Sequence, residues 1–396
     1  MKKKFLITIF LVFVIIILSI FFIFKLNLLE NKKNDKIDDI DKSSNENTEI
    51  KEDISKDLFG MYYNKAEEKM EDMSIEEKVG QMILARCPSD DTAISEISAL
   101  NPGGYVLFSR DFKDKTKSEV KETIASYQKA SKIPMIIAVD EEGGMVVRVS
   151  SNRNLSSYTF KSPQDLYNEG GYELIKADTK NKAKLLLDLG INLNLAPVAD
   201  VATNPSDYMF ARSFGKDANK TAEYVKDVVE VCNSLNLGTT LKHFPGYGSN
   251  SDTHTDISID KKTKEQFDTV DLIPFKEGIK SGVPSIMVSH NIVECYDKDI
   301  PSSLSKPVHD LLRNDLGFTG VIITDDLIMK GITNYTDGKN AAVLAVSVGN
   351  DMLISSDFKN DKNAILEAVK NGTISEDVIN TAVKRILSWK YSLGLI

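Results

Sequence analysis

A chain of 396 residues, 42% hydrophobic and 27% charged, is long enough to bury a substantial core. Its net charge is −9, and no block of lysine and arginine is interleaved with aromatics, which excludes nucleic acid as a partner because neutralising phosphates needs clustered cations. Cys87, Cys232 and Cys295 are too few and too widely spaced for a disulfide framework or a CxxC metal motif.

At the N-terminus, Lys2, Lys3 and Lys4 precede an uncharged apolar stretch over residues 5–24, closed by Lys25. About 20 such residues match the thickness of a hydrocarbon core. No small-x-small cleavage site ends the stretch and no lipid-accepting cysteine follows it. The sequence therefore predicts an uncleaved signal anchor over residues 1–25, with the rest of the chain exported. Residues 26–60, rich in Asn, Lys, Asp, Glu and Ser, read as a flexible polar linker. The folded unit is expected over residues 61–396.

Within that unit, short β-branched apolar runs alternate with longer helical patterns. The runs cover residues 79–86, 104–109, 134–140, 191–200, 238–243, 285–290, 320–325 and 351–355. Helices are predicted over 115–132, 218–235, 263–281 and 305–316, and a closing helix over 375–393 is capped by Ser375. Eight strands with helical crossovers predict an α/β fold, a (β/α)8 TIM-type barrel. A doubly wound sheet would carry a glycine-rich turn after its first strand, and residues 83–88 have none.

A barrel presents its chemistry at the C-terminal ends of its strands. There the runs deliver Asp140, Glu141 and Glu142, then Asp200, Lys242 with His243, His290, and Asp325 with Asp326. Any one of these is explained by helix capping. Five polar termini on one rim are not. Of the four histidines, only His309 falls inside a predicted helix, where it reads as a surface or packing residue. The segment KHFPGYGSNSDTHTD, residues 242–256, sets Asp252 two residues before His254. A carboxylate in that position orients an imidazole and raises its pKa, which suits proton transfer near neutral pH. Metal binding by His243, His254 and Asp252 is the competing reading, and no ligand spacing of the HExxH kind supports it.

These segments resemble glycoside hydrolase family 3, in particular its single-domain exo-β-N-acetylglucosaminidases. The resemblance spans residues 62–396 and rests on VDEEGGMVVR (139–148), NLAPVADV (194–201), ARSFG (211–215), KHFPGYG (242–248) with DTH (252–254), and GVIITDDLIM (320–329). It implies Asp325 as catalytic nucleophile and His254 as acid/base, with Asp252 as its dyad partner. It also implies Asp140, Arg148, Arg212, Lys242 and His243 as ligands of the terminal sugar, and no metal or organic cofactor. The implied substrates are β-GlcNAc-containing oligosaccharides of cell-wall peptidoglycan or chitin type, cleaved with retention. Asp326 is expected to point away from the reaction.

Three departures bear on the acid/base loop. Tyr247 stands where many relatives have histidine, the stretch from Gly248 to Asp252 is one residue short, and Asp256 replaces a glycine. The chain ends 71 residues after Asp325, so the second α/β sandwich domain from which related β-glucosidases take their acid/base is not expected. The alternatives are a β-glucosidase, a phosphorylase favoured by a neutral histidine base, or a catalytically silent sugar-binding protein.

Overall fold

The computed structural model describes residues 57–88, 90–247, 257–336 and 340–396. The predicted anchor over residues 1–25 lies outside them, as does the linker except for its last residues. Among the described residues no helix is long and apolar enough to cross a membrane.

Eight parallel strands close into a barrel. They are β1 (Ile83–Arg86), β2 (Gly104–Leu107), β3 (Ile136–Val139), β4 (Leu193–Asn194), β5 (Gly238–Phe244), β6 (Ser285–Val288), β7 (Val321–Thr324) and β8 (Met352–Ser355). Each pairs with its neighbours in sequence, and β1 pairs with β8 to close the ring. Strands buried on both faces read as unbroken apolar runs, which is why all eight were visible in the sequence. Packing begins before Tyr62: Phe59 is buried, and the Leu58 backbone donates to Thr319 Oγ1 at 3.0 Å.

Two runs depart most from expectation. Residues 79–81 are the end of the helix Ile75–Gln81, not the start of β1. Ser74 and Glu77 form a reciprocal capping box that commits this stretch to helix, and an apolar run alone does not distinguish the two. Over 191–200 the strand is only two residues long, because Pro197 has no N–H for the ladder. The chain still runs beside β5 there, with Thr240 donating to Ala196 O and Lys242 to Pro197 O.

The predicted helices form as Lys117–Ala130, Ala218–Asn233, Leu272–Lys280 and Lys306–Asp310; the last two adjoin widened turns at Phe267–Asp271 and Leu311–Asp315. The closing helix spans Glu376–Ser392. Ser375 holds its N-cap position, but its side chain makes no cap bond. His309 is a packing residue, buried with Nδ1 donating to Ser305 O at 2.8 Å.

The closing helix carries Trp389 and Lys390, both fully buried. Lys390 Nζ donates to Gln81 Oε1 at 2.7 Å, and burial pushes its pKa down to about 7. Between about pH 7 and its ordinary value of 10.5 the unfolded chain holds this proton and the folded protein does not. Stability from this group therefore rises with pH across that window, by up to about 1.4 kcal/mol per pH unit. In urea titrations from pH 7 to 10, Lys390→Met is expected to flatten this rise relative to wild type. Parallel curves for the two proteins would show that the buried amine does not titrate there.

Candidate active site

The C-terminal ends of the strands surround a cavity of about 340 Å³, lined among others by Arg86, Asp140, Arg148, Arg212, Lys242 and Asp325. Asp140 follows β3 directly, Lys242 and His243 lie in β5, and Asp325 follows β7. Lys242 and His243 both face the cavity, although they are neighbours in one strand. The β5–β6 register shifts between Leu241 and Phe244, which breaks the usual alternation of faces.

Glu142 is the hub of the cationic wall. Its Oε1 lies 2.6 Å from Lys242 Nζ and 2.7 Å from Arg212 Nη2, while Arg212 Nε donates to Oε2 at 3.1 Å. Burial alone would raise the Glu142 pKa, but Lys242 and Arg212 outweigh it and hold the carboxyl down at about 2. Lys242 reaches Asp140 Oδ1 as well, at 2.8 Å. Burial opposes the lysine charge, and the two carboxylates overcome it, raising its pKa. Asp140, Lys242 and Arg212 thus form a pre-set array of charged hydrogen-bonding groups suited to sugar hydroxyls.

The loop after β3 is held by Glu141, which is fully buried. Its carboxylate accepts the backbone N–H groups of Arg148 and Val149 at 2.7 and 2.8 Å and that of Ser150 at 3.2 Å. Asn194 of β4 grips the Glu141 backbone at both N–H and carbonyl. This fixes Arg148, whose Nη2 stands 3.7 Å from Asp140 Oδ2. Gly143 makes the turn possible: its φ is +100°, and a Cβ there would come 2.2 Å from Lys161 O.

Asp200 orients His243. The buried carboxylate accepts from His243 Nδ1 at 2.7 Å, His243 N at 3.2 Å and Tyr247 N at 2.6 Å. With Nδ1–H committed to Asp200, Nε2 is the ring nitrogen left for a ligand in the cavity. The turn that follows needs Gly246, with φ +136°, where a Cβ would come 2.7 Å from Asp271 Cβ. Burial drives the Asp271 carboxyl up to about 6 against the pull of Lys262, which bridges it at 2.6 Å to Asp260 at 3.1 Å.

Asp325 accepts the Asp326 N–H on Oδ1 at 2.8 Å. The Asp326 carboxylate turns to Ser356 Oγ at 2.6 Å and to the N–H groups of Ile328 and Ser356, both at 3.2 Å. Its backbone carbonyl faces His290 Nε2 at 3.1 Å. His290 is thus committed to the protein framework, with Nδ1 2.8 Å from Ser303 Oγ.

Six of the eight residues named from the sequence, Asp140, Arg148, Arg212, Lys242, His243 and Asp325, line this one cavity. Asp252 and His254 lie outside the described residues. Among the described residues no group of three or more His, Cys, Asp or Glu could hold a metal ion. Sequence reasoning did not assign roles to Glu141, Glu142, Asp200 and Arg86. The first three carried a signal, an acid just beyond an apolar run; Arg86 carried none beyond ending its run.

The chain is 30% identical over 290 residues to a β-hexosaminidase of Tolumonas auensis, covering 70% of this chain and 83% of that protein. A β-hexosaminidase of Nitrosomonas eutropha is 29% identical over 305 residues, 74% of this chain and 85% of the other. Among solved structures, a glycoside hydrolase family 3 β-N-acetylglucosaminidase from Paenibacillus sp. str. FPU-7 superposes with a TM-score of 0.75 at 30% identity. That match covers 82% of this chain, which spans 63% of the Paenibacillus chain. Residues 74–389, from the first capping box to the closing helix, match the Glycosyl hydrolase family 3 N terminal domain, and with a barrel whose rim gathers that family's motifs, the chain belongs to glycoside hydrolase family 3.

Proposed function

We propose that this glycoside hydrolase is a retaining exo-β-N-acetylglucosaminidase, with Asp325 as nucleophile. The observation that carries the reading is that Asp325 shares one cavity with the array of Asp140, Lys242, Arg212 and His243. The array supplies donors and acceptors for a terminal sugar, and Asp325 supplies a carboxylate to attack its anomeric carbon. His254, oriented by Asp252, protonates the departing oxygen and then, as base, activates the water that hydrolyses the glycosyl-enzyme. Retaining glycosidases usually pair two carboxylates, and a histidine acid/base departs from that scheme. The β-hexosaminidase relatives support GlcNAc as the sugar removed. An anchor over residues 1–25 would hold the enzyme on the outer face of the cell membrane, where wall peptidoglycan is the nearest GlcNAc-bearing glycan.

The test is covalent trapping. A slowly turned-over fluorinated N-acetylglucosaminyl fluoride is expected to leave its sugar on the peptide containing Asp325, located by mass spectrometry. An adduct on any other residue, or none with active enzyme, sinks the assignment. Chromogenic β-GlcNAc and β-glucoside substrates assayed side by side decide the sugar: a preference for the glucoside makes the protein a β-glucosidase instead.

A further inference from the structure

Residues 248–256, which include Asp252 and His254, lie outside the described residues, but the two points where the chain enters and leaves that segment do not. On the way in, Gly246 lies so close to Asp271 that a Cβ there would come 2.8 Å from its Oδ1. The Gly246 carbonyl accepts from Asn291 Nδ2 at 3.5 Å, and the Tyr247 N–H is held by Asp200. On the way out, Ile259–Asp260 pairs in parallel with Ile292–Val293. There the Ile292 N–H donates to Ser258 O at 2.8 Å and the Glu294 N–H to Asp260 O at 3.0 Å.

One side chain joins these two points. Lys262 Nζ lies 2.6 Å from Asp271 Oδ1, 3.1 Å from Asp260 Oδ2 and 4.5 Å from the centre of the Phe267 ring. Both carboxylates are buried. Burial opposes the lysine charge, and Asp271 and Asp260 overcome it, raising its pKa. As a source of stability the arrangement is poor. Two buried acids share one cation, and Asp271 Oδ2 has no hydrogen-bond partner among the described residues. Buried ion pairs seldom repay their desolvation, and their best-attested use is to fix one arrangement of the elements they join. Here those elements are the turn after β5, the returning strand Ile259–Asp260, and the turn Phe267–Asp271 ahead of the helix Leu272–Lys280.

We propose that Lys262 and Asp271 are positioning residues for proton transfer, clamping together the two ends of the segment that bears the acid/base. This rests on His254 being that acid/base. Neither residue is among the described residues that line the Asp325 cavity, so the clamp acts through the segment it anchors. Loosening it costs protonation of the leaving group and spares the terminal-sugar array, which is bonded among Asp140, Glu142, Lys242 and Arg212.

The experiment compares two β-GlcNAc glycosides, one releasing dinitrophenolate, which departs without a proton, and one releasing a second GlcNAc, which needs one. In Lys262→Met and in Asp271→Asn, kcat/KM for the disaccharide is expected to fall by about 10- to 100-fold, the scale on which misplacing a catalytic group acts. For the dinitrophenyl glycoside, where kcat/KM reports attack without proton transfer, it should stay nearly unchanged. Lys262→Arg, which can still span both carboxylates, should recover most of the loss. The double variant Lys262→Met/Asp271→Asn removes a cation and an anion together, and it replaces any single variant that circular dichroism shows to be unfolded. Equal losses on both substrates, or no loss on the disaccharide, overturn the proposal while leaving the glycosidase reading intact. His254→Ala is assayed beside them: if it too loses equally on both substrates, the acid/base reading fails and the proposal with it.

Discussion

Asp325→Ala is expected to lower kcat by about 10⁴-fold or more, the scale on which loss of a covalent nucleophile acts. The change is local. Asp325 accepts the N–H of Asp326, while Asp326 is held separately by Ser356 and Ile328, so the loop after β7 keeps its main ties. The terminal-sugar array is built on the residues after β3 and β4 and on β5, and is held by bonds among Asp140, Glu142, Lys242 and Arg212. Substrate binding should therefore persist, with the loss concentrated in kcat. Azide, small enough to enter the space vacated by the carboxylate, should restore turnover and yield the α-glycosyl azide, because it attacks from the face Asp325 occupied. A variant that keeps more than about a tenth of the activity, far above the residue left when nucleophiles are removed, would dismiss Asp325 as nucleophile.

How far the sequence could reveal this site is set by the distance over which each contact is made. The barrel was legible because most of its strands are short apolar runs followed by helical crossovers. The strands were misjudged most where a local rule competed with apolarity: the Ser74–Glu77 cap took residues 79–81 into a helix, and Pro197 shortened β4. Ser375 shows the reverse, a residue well placed to cap that makes no cap bond. Side chains at strand ends on the rim, such as Asp140, Lys242 and Asp325, could be singled out by position, and the family resemblance supplied their expected roles. Glu142 and Asp200 could not be assigned, since their partners Arg212 and His243 lie 70 and 43 residues away in sequence and meet them only when β3, β4 and β5 are laid side by side. Glu141 and Glu142 look alike in the motif, yet one binds the backbone of its own loop and the other binds cations from two other elements. Arg86 is the extreme case, because what marks it is a buried Nε with no partner among the described residues, which no sequence pattern displays.

Glu142→Gln is expected to damage both binding and stability. Glu142 and Lys242 are buried and Arg212 is largely so, and with Asp140 the four groups balance two cations against two carboxylates. Glutamine keeps the shape but not the charge, leaving Lys242 and Arg212 with Asp140 as the nearby anion. Leaving a buried charge without its counter-ion costs about 3 kcal/mol or more, and a urea midpoint at pH 7 should fall accordingly. The sugar array should loosen with it, since Lys242 would be drawn wholly to Asp140; KM is expected to rise, with kcat falling less. The acid limb offers an independent reading. The Glu142 carboxyl sits at about 2 in the folded protein against an ordinary value of 4.5, so its contribution to stability is complete above pH 4.5 and is lost as the pH falls toward 2. The wild-type midpoint should therefore drop more steeply than that of Glu142→Gln between pH 4.5 and 3. Equal slopes, together with an unchanged midpoint at pH 7, would mean that the two cations find compensation elsewhere and that Glu142 does not organise the wall.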